Sequence, residues 1–240
     1  MSLRIAMWSG PRNISTAMMR AFENRPDTEV IDEPFYASFL IRSGADHPMR
    51  QEVLAAQETD PVAVARAISG DAPRGAAIFY QKHMTHHMLA DFDRRWMDLC
   101  RHAFLIRAPE RVLASYAKRR AEVTLENIGF VRQGELFDEV AQKQGAAPPV
   151  IDADDVLADP ERTLRALCGA LGIAFAPTML SWPAGPRATD GVWAPAWYDA
   201  VARSTGFSMP TVMPVLTDPR LAQIADEARP IYERLARYRI

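Results

Sequence analysis

Short apolar runs alternate along the chain with longer segments of helical periodicity. Residues 3–8, Leu-Arg-Ile-Ala-Met-Trp, stop abruptly at Ser9-Gly10-Pro11 and read as a buried first strand. Ile14, Ala17, Met18, Ala21 and Phe22 then recur at helical spacing, which predicts a helix to about Asn24. Residues 28–32 form a second strand closed by Glu33-Pro34, and 35–70 read as helical and irregular, with Asp60-Pro61 opening a helix. Residues 76–80 and 102–106 are the third and fourth strands. Arg107-Ala108-Pro109-Glu110 follows and leads into an Arg-rich helix to about Ala121, and a further helix covers 127–144. The fifth strand is 149–152. Asp159 caps and Pro160 opens a helix with Leu164, Leu167, Cys168 and Leu171 on one face, ended by Gly172. Residues 176–216 carry many prolines and three tryptophans and read as a long ordered excursion before a final amphipathic helix from Asp218.

Strands alternating with helices predict an α/β fold: a three-layer sandwich whose mostly parallel sheet is covered on both faces. No repeat, low-complexity tract or linker divides the chain, so a single domain over 1–240 is expected. Composition adds only limits. A hydrophobic fraction of 48% with 24% charged residues is that of a globular protein. Lys plus Arg is 28 against 30 Asp plus Glu, and a net charge of −2 argues against a nucleic-acid polymer as partner. Cys100 and Cys168 are too few for a disulfide framework and lack metal-ligand spacing. The N-terminus has no signal-peptide pattern, and no stretch approaches the roughly 18 apolar residues of a membrane helix. A cytoplasmic protein without a membrane partner is expected.

Candidate chemistry begins in the first loop, Gly10-Pro11-Arg12-Asn13-Ile14-Ser15-Thr16. A helix N-terminus after such a turn aims free N–H groups and a positive dipole end at an anion. Arg12 adds a charged fork, and Ser15 and Thr16 add hydroxyls. The triphosphate version of this device needs a second Gly and a Lys, and neither is here, which disfavours ATP or GTP. The plain alternative is a tight turn whose hydroxyls serve only the backbone. A second anion device follows the fourth strand. Arg107 stands at its carboxyl edge, and Arg111, Ser115, Lys118 and Arg119 share one face of the next helix. Arg107 and Ser115 suit a phosphate by guanidinium fork and hydroxyl, whereas Arg119 and Arg120 read as a solvated face. Ligands in open α/β sheets lie beyond the carboxyl ends of the strands, where both devices fall.

The chain resembles the sulfotransferases that use 3′-phosphoadenosine-5′-phosphosulfate (PAPS), a P-loop-like nucleotide-binding fold. Residues 11–16 match the family's Pro-Lys-Ser-Gly-Thr-Thr loop for the 5′-phosphosulfate. Arg107-Ala108-Pro109 and Ser115 match its 3′-phosphate motif. Residues 150–160, ending in Leu157-Ala158-Asp159-Pro160, and then Leu171-Gly172-Ile173 match its strand-to-helix segment. The pattern is similar to a subgroup related to proteins labelled aminotransferase-like. Arg12 replaces the loop lysine and Ile14 the loop glycine, and the C-terminal Arg-Lys-Gly-x-x-Gly motif is absent; Arg187 stands at a comparable place and is a candidate for the 3′-phosphate. The resemblance implies a transferase that moves a sulfuryl group from PAPS to a hydroxyl or amine of a small-molecule acceptor.

Such a transfer asks for a base and for positive donors around the moving group. Two bases compete, Glu33 after the second strand and His83 after the third, with His83 preferred because family members place a histidine in Lys-Thr-His there. Arg12 and Lys82 are the expected charges on the sulfuryl oxygens. His83, His86 and His87 carry a His-x-x-His-His spacing, but no carboxylate or cysteine is in register, so no metal is expected. Trp182, Trp193, Trp197, Tyr198 and Phe207 either wall the acceptor or simply pack the excursion. Two other readings remain open: a P-loop kinase or phosphotransferase using ATP, and a non-catalytic nucleotide-binding module on the same fold.

Overall fold

The computed structural model describes residues 1–240, built on a five-stranded, all-parallel sheet of order β2-β3-β1-β4-β5. Its first half runs β1 (Leu3–Ser9), α1 (Ser15–Glu23), β2 (Thr28–Asp32), α2 (Tyr36–Ser43), α3 (Arg50–Ala56), α4 (Pro61–Ile68) and β3 (Ile78–Met84). The second runs β4 (Cys100–Ile106), α5 (Pro109–Tyr116), α6 (Phe130–Gln144), β5 (Val150–Asp152), α7 (Ala153–Ala158) and α8 (Pro160–Ala170). Two short helices, α9 (Ala194–Trp197) and α10 (Asp199–Ala202), precede the long α11 (Pro219–Ala236). No helix is long and apolar enough to cross a membrane.

Alternate residues of each strand feed two cores, as a two-residue period requires. Ile5 and Met7 of β1, Tyr80 of β3 and Leu105 of β4 pack on Met18 and Phe22 of α1 and Leu164 and Leu167 of α8. Ala6, Trp8, Phe104 and Ile106 pack instead on α4, α6 and α11 through Ile68, Leu136, Phe137 and Leu235. Burial on both faces is why these strands read as continuous apolar runs. Several expected bounds move. β3 continues through Gln81, Lys82, His83 and Met84, beyond the apolar run that ends at Tyr80. Those polar side chains stay buried because each finds a partner: Gln81 Nε2 donates to the Ile68 carbonyl at 2.7 Å. α5 stops at Tyr116, short of Ala121, and an additional helix, α7, follows β5. Asp152 caps α7 by accepting from Asp154 N at 2.9 Å, and Asp159 caps α8 by accepting from Arg162 N at 3.1 Å. The excursion is ordered. An antiparallel bridge joins Ser181 to Gly206, and Asp190 pairs with buried Arg20 of α1 at 2.6 Å.

Candidate active site

The loop from β1 to α1 bends through two left-handed residues, Arg12 (φ 61°) and Ile14 (φ 56°). A β-branched residue in this region is strained, and such strain persists only where surroundings enforce it. Ile14 thus adopts the conformation a glycine would, so its side chain does not alter the course of the loop. No side chain caps α1, which leaves its first N–H groups free, and Ser15, Thr16 and Ala17 line a cavity of about 420 Å³. Asn13 anchors the loop by donating to the Leu105 carbonyl of β4 at 3.1 Å.

Arg107 and Ser115 reach the same cavity. Arg12 Nε donates to Ser115 Oγ at 2.9 Å, and Arg107 Nη1 donates to the Arg12 carbonyl at 2.7 Å. A second donor of Arg12 meets the Trp197 carbonyl of the excursion at 3.1 Å. Arg107 Nε is buried with no partner. Burial, aided by Arg119 for Arg12, lowers both guanidinium pKa values, a shift that an anion in the cavity would reverse.

Facing the loop is a buried ionic centre. The β2/β3 register sets Asp32 beside Lys82. Lys82 Nζ donates to Asp32 Oδ1 at 2.8 Å, Glu33 Oε1 at 2.7 Å and the Tyr198 hydroxyl at 2.6 Å. The Tyr198 hydroxyl donates to Asp32 Oδ2 at 2.7 Å and accepts from Trp193 Nε1 at 2.9 Å. Burial acts to lower the Lys82 pKa, but the two carboxylates outweigh it and hold the group above its ordinary value. Burial raises the Glu33 carboxyl; Lys82 opposes that shift and Asp32 adds to it. Glu33 is itself left-handed at φ 43°. Glu33, Lys82 and Tyr198 line the same cavity as the first loop, and Asp32 does not.

The sulfotransferase domain pattern matches residues 3–237. The chain belongs to the sulfotransferase domain family. It is 40% identical over 232 residues to branched-chain-amino-acid aminotransferase-like protein 1 of Arabidopsis thaliana, and 36% identical over 231 residues to the corresponding protein 2. In each case 96% of this chain aligns to 41% of the relative, so it spans about two fifths of the length of these plant proteins. Its fold is similar to the sulfotransferase domain of the curacin biosynthetic pathway (TM-score 0.55, 16% identity, 95% of this chain and 98% of that one). It is also similar to a mouse sulfotransferase solved with PAP bound (TM-score 0.54, 12% identity, 97% and 85%).

Within this sulfotransferase domain, several expected site residues lie elsewhere. His83 is inside β3, not after it, and its odd register turns it to the opposite face from Lys82. There it stacks on Trp8 at 4.7 Å and bonds Gln81 at 3.2 Å, 2% exposed, its pKa lowered by burial to about 3. It does not line the cavity; the residue two beyond Lys82 that does is Met84. Arg187 lies by Glu23 (3.8 Å) at the far end of α1, some 12 Å of helix from the loop. Gly10 packs beneath the Ile128 carbonyl, which a Cβ would approach to 2.6 Å, and does not face the cavity. Arg111 pairs with Asp154 at 2.7 Å. Lys82 spends all three of its protons on Asp32, Glu33 and Tyr198, leaving none for a sulfuryl oxygen. No group of three His, Cys, Asp or Glu side chains has metal-holding geometry. Sequence reasoning missed Tyr36 and His47 as lining residues, because nothing local marks a helix face that a loop later brings to the sheet edge.

Proposed function

We propose that this domain transfers a sulfuryl group from PAPS to a hydroxyl of a small acceptor, with Glu33 as the base. One observation carries the reading. Two anion-binding devices, the α1 N-terminus with Arg12 and the Arg107–Ser115 pair, share a wall of the cavity that Glu33 also lines. An anionic nucleotide fits the residues present: the buried, unpartnered Arg107 Nε calls for an acceptor such as a phosphate oxygen. Arg107 and Ser115 would hold the 3′-phosphate, and residues 12–16 the 5′ end. Bound there, PAPS supplies a sulfuryl group whose bond to the phosphate oxygen breaks as the acceptor oxygen bonds to sulfur, leaving PAP.

Of the two bases weighed from sequence, the reading takes Glu33, because it lines the cavity and His83 does not. Oε1 is tied to Lys82, while Oε2 makes no hydrogen bond and is the oxygen to take the acceptor proton. Its raised pKa brings it closer to the working pH, where a general base is most effective. Lys82 orients that carboxylate and does not contact the moving group. Arg12 supplies the positive charge on the loop side. Calorimetric titration with PAP, and separately with ATP and Mg²⁺, tests the donor. Binding of PAP without ATP supports the reading, and the reverse supports a phosphotransferase. PAP binding with no PAPS consumption across a panel of hydroxyl acceptors would make the domain a nucleotide-binding module.

A further inference from the structure

The acceptor side of the cavity holds three histidines that proton transfer at Glu33 does not use. His47, His86 and His87 line it together with Tyr36, Met84 and Trp193. The His86 and His87 rings stand 4.4 Å apart between centroids. His87 lies flat on Tyr36 at 4.4 Å and 9°, and against Phe39 at 4.8 Å, so its ring plane is fixed. His47 is occupied, its Nδ1 paired with the Tyr36 hydroxyl at 3.0 Å. The Nδ1 atoms of His86 and His87 are not: both are buried with no partner, and the His87 side chain is only 4% exposed. His87 Nδ1 is 3.8 Å from Glu33 Oε2, too long for a direct hydrogen bond. His86 Nδ1 is turned toward Gly129, where an added Cβ would lie 3.5 Å from it, so the ring nitrogens offered to the cavity are the Nε2 atoms, which no protein group bonds. An unmet ring nitrogen on a cavity wall is what a ligand's own polar group completes.

These rings are uncharged at neutral pH. Burial lowers the His86 pKa to about 3 and the His47 pKa to about 4, and takes His87 well below its ordinary value. A neutral imidazole donates through one nitrogen and accepts through the other, which suits a hydroxyl or carbonyl. No cation free of a partner lines this side to hold an anionic acceptor, although the Arg120 charge is felt at His47 and Tyr36 without lining the cavity. The cations lining the cavity are Arg12, Lys82 and Arg107; the two arginines belong to the donor wall, and Lys82 is held by two carboxylates. The volume, about 420 Å³, must also take the donor, so the acceptor is small.

We propose that His86 and His87 form a second subsite for the acceptor, which is a small uncharged molecule with two neighbouring hydrogen-bonding groups. One is the hydroxyl that reacts at Glu33, and the other is a hydroxyl or carbonyl seated on the two imidazoles. The 3.8 Å gap between Glu33 and His87 makes the two subsites adjoin, so the two groups sit on adjacent atoms of the acceptor. The assignment rests on the sulfotransferase reading above.

Isothermal titration of the full chain preloaded with PAP, using catechol, phenol, hydroquinone and salicylate as probes, tests it. Catechol should bind about tenfold tighter than phenol or hydroquinone, with salicylate weakest. The His86→Phe/His87→Phe double variant keeps the aromatic packing and removes the nitrogens. In it the catechol preference should vanish while PAP affinity changes less than about twofold. Equal binding of catechol and phenol, no binding of any probe, a preference for salicylate, or a catechol preference that survives the double variant overturns the subsite. The wild-type ranking decides this even if the variant does not fold. Failure of PAP itself to bind overturns the donor reading instead, and the subsite falls with it.

Discussion

Lys82 and His83 are neighbours in β3, yet they look into two different regions with opposite chemistry. On the closed face His83 and His102 are buried and satisfied. His83 bonds Gln81, and His102 accepts from Trp8 Nε1 at 3.0 Å and donates to the Met97 carbonyl at 2.9 Å. On the open face Glu33 and His87 are buried and His86 and Arg107 half-buried, and Glu33 Oε2, His86 Nδ1, His87 Nδ1 and Arg107 Nε are left without partners. Burial of a titratable side chain is thus no mark of function by itself. Unmet polar atoms alone do not separate the faces either, since Trp96 Nε1 on the closed face is buried without a partner; what separates them is that the open-face groups line a cavity that a ligand can enter.

The sharpest way to break this contrast is to disable one residue on each face. Glu33→Gln should lower the rate of PAP release from PAPS by about 10²–10⁴-fold, with PAP affinity unchanged. It should not lower the melting temperature, because Lys82 keeps Asp32 and one buried carboxylate charge is gone. His83→Phe should keep the rate within about threefold. A dead His83→Phe beside an active Glu33→Gln would invert the assignment. Next in size, Arg107→Ala should weaken PAP by roughly 10–150-fold, the value of about 1.5–3 kcal/mol for hydrogen bonds to a charged group, read by calorimetry.

Stability against pH sharpens the contrast further, and the sign is fixed by the direction of each shift. All five histidines have folded pKa values below the ordinary 6.5, through burial. Their contribution to stability is complete above about pH 6.5 and is lost progressively as pH falls through the folded values, about 4 for His47 and His102 and about 3 for His83 and His86, each proton adding about 1.4 kcal/mol per pH unit to the slope. Glu33 has the opposite sign: its raised pKa gives stability at low pH that is lost as pH rises through the folded value. Urea midpoints should fall steeply in wild type as pH is lowered from about 6.5 to about 5, and His83→Phe should lessen that slope by about one proton. The smallest effect is expected at Ile14→Gly. Relief of the left-handed backbone offsets lost packing, leaving stability within about 1 kcal/mol and PAP affinity within about twofold.

The strands, their parallel arrangement and the meeting of Arg107 and Ser115 on one cavity were legible because each is a local pattern: an apolar run, a Pro-opened helix, a hydroxyl two turns on. The placement of His83 was not. Its polarity and that of Gln81 and Lys82 imitate a loop, and their partners lie far away in sequence: Asp32 precedes Lys82 by 50 residues, and Tyr198 follows it by 116. Hydrophobic patterning cannot reveal a strand whose buried positions are polar and compensated. The same limit applies to Arg187. A basic residue at a suggestive position is a candidate for the phosphate site from sequence, whereas Glu23 and Asp190, with Arg20, hold that segment at the other end of α1. Tyr198 shows the converse: one aromatic among many in the excursion turns out to close the ionic centre.

The buried histidines also govern how the whole molecule meets its solution. Ordinarily these side chains are what lets a protein gain positive charge just below neutrality. Here none is free to do so while the chain stays folded, so the histidines add no positive charge to the net −2 in mildly acidic solution. The native protein therefore has little buffering capacity near neutrality, and it should focus below the isoelectric point of about 6.2 that its composition implies.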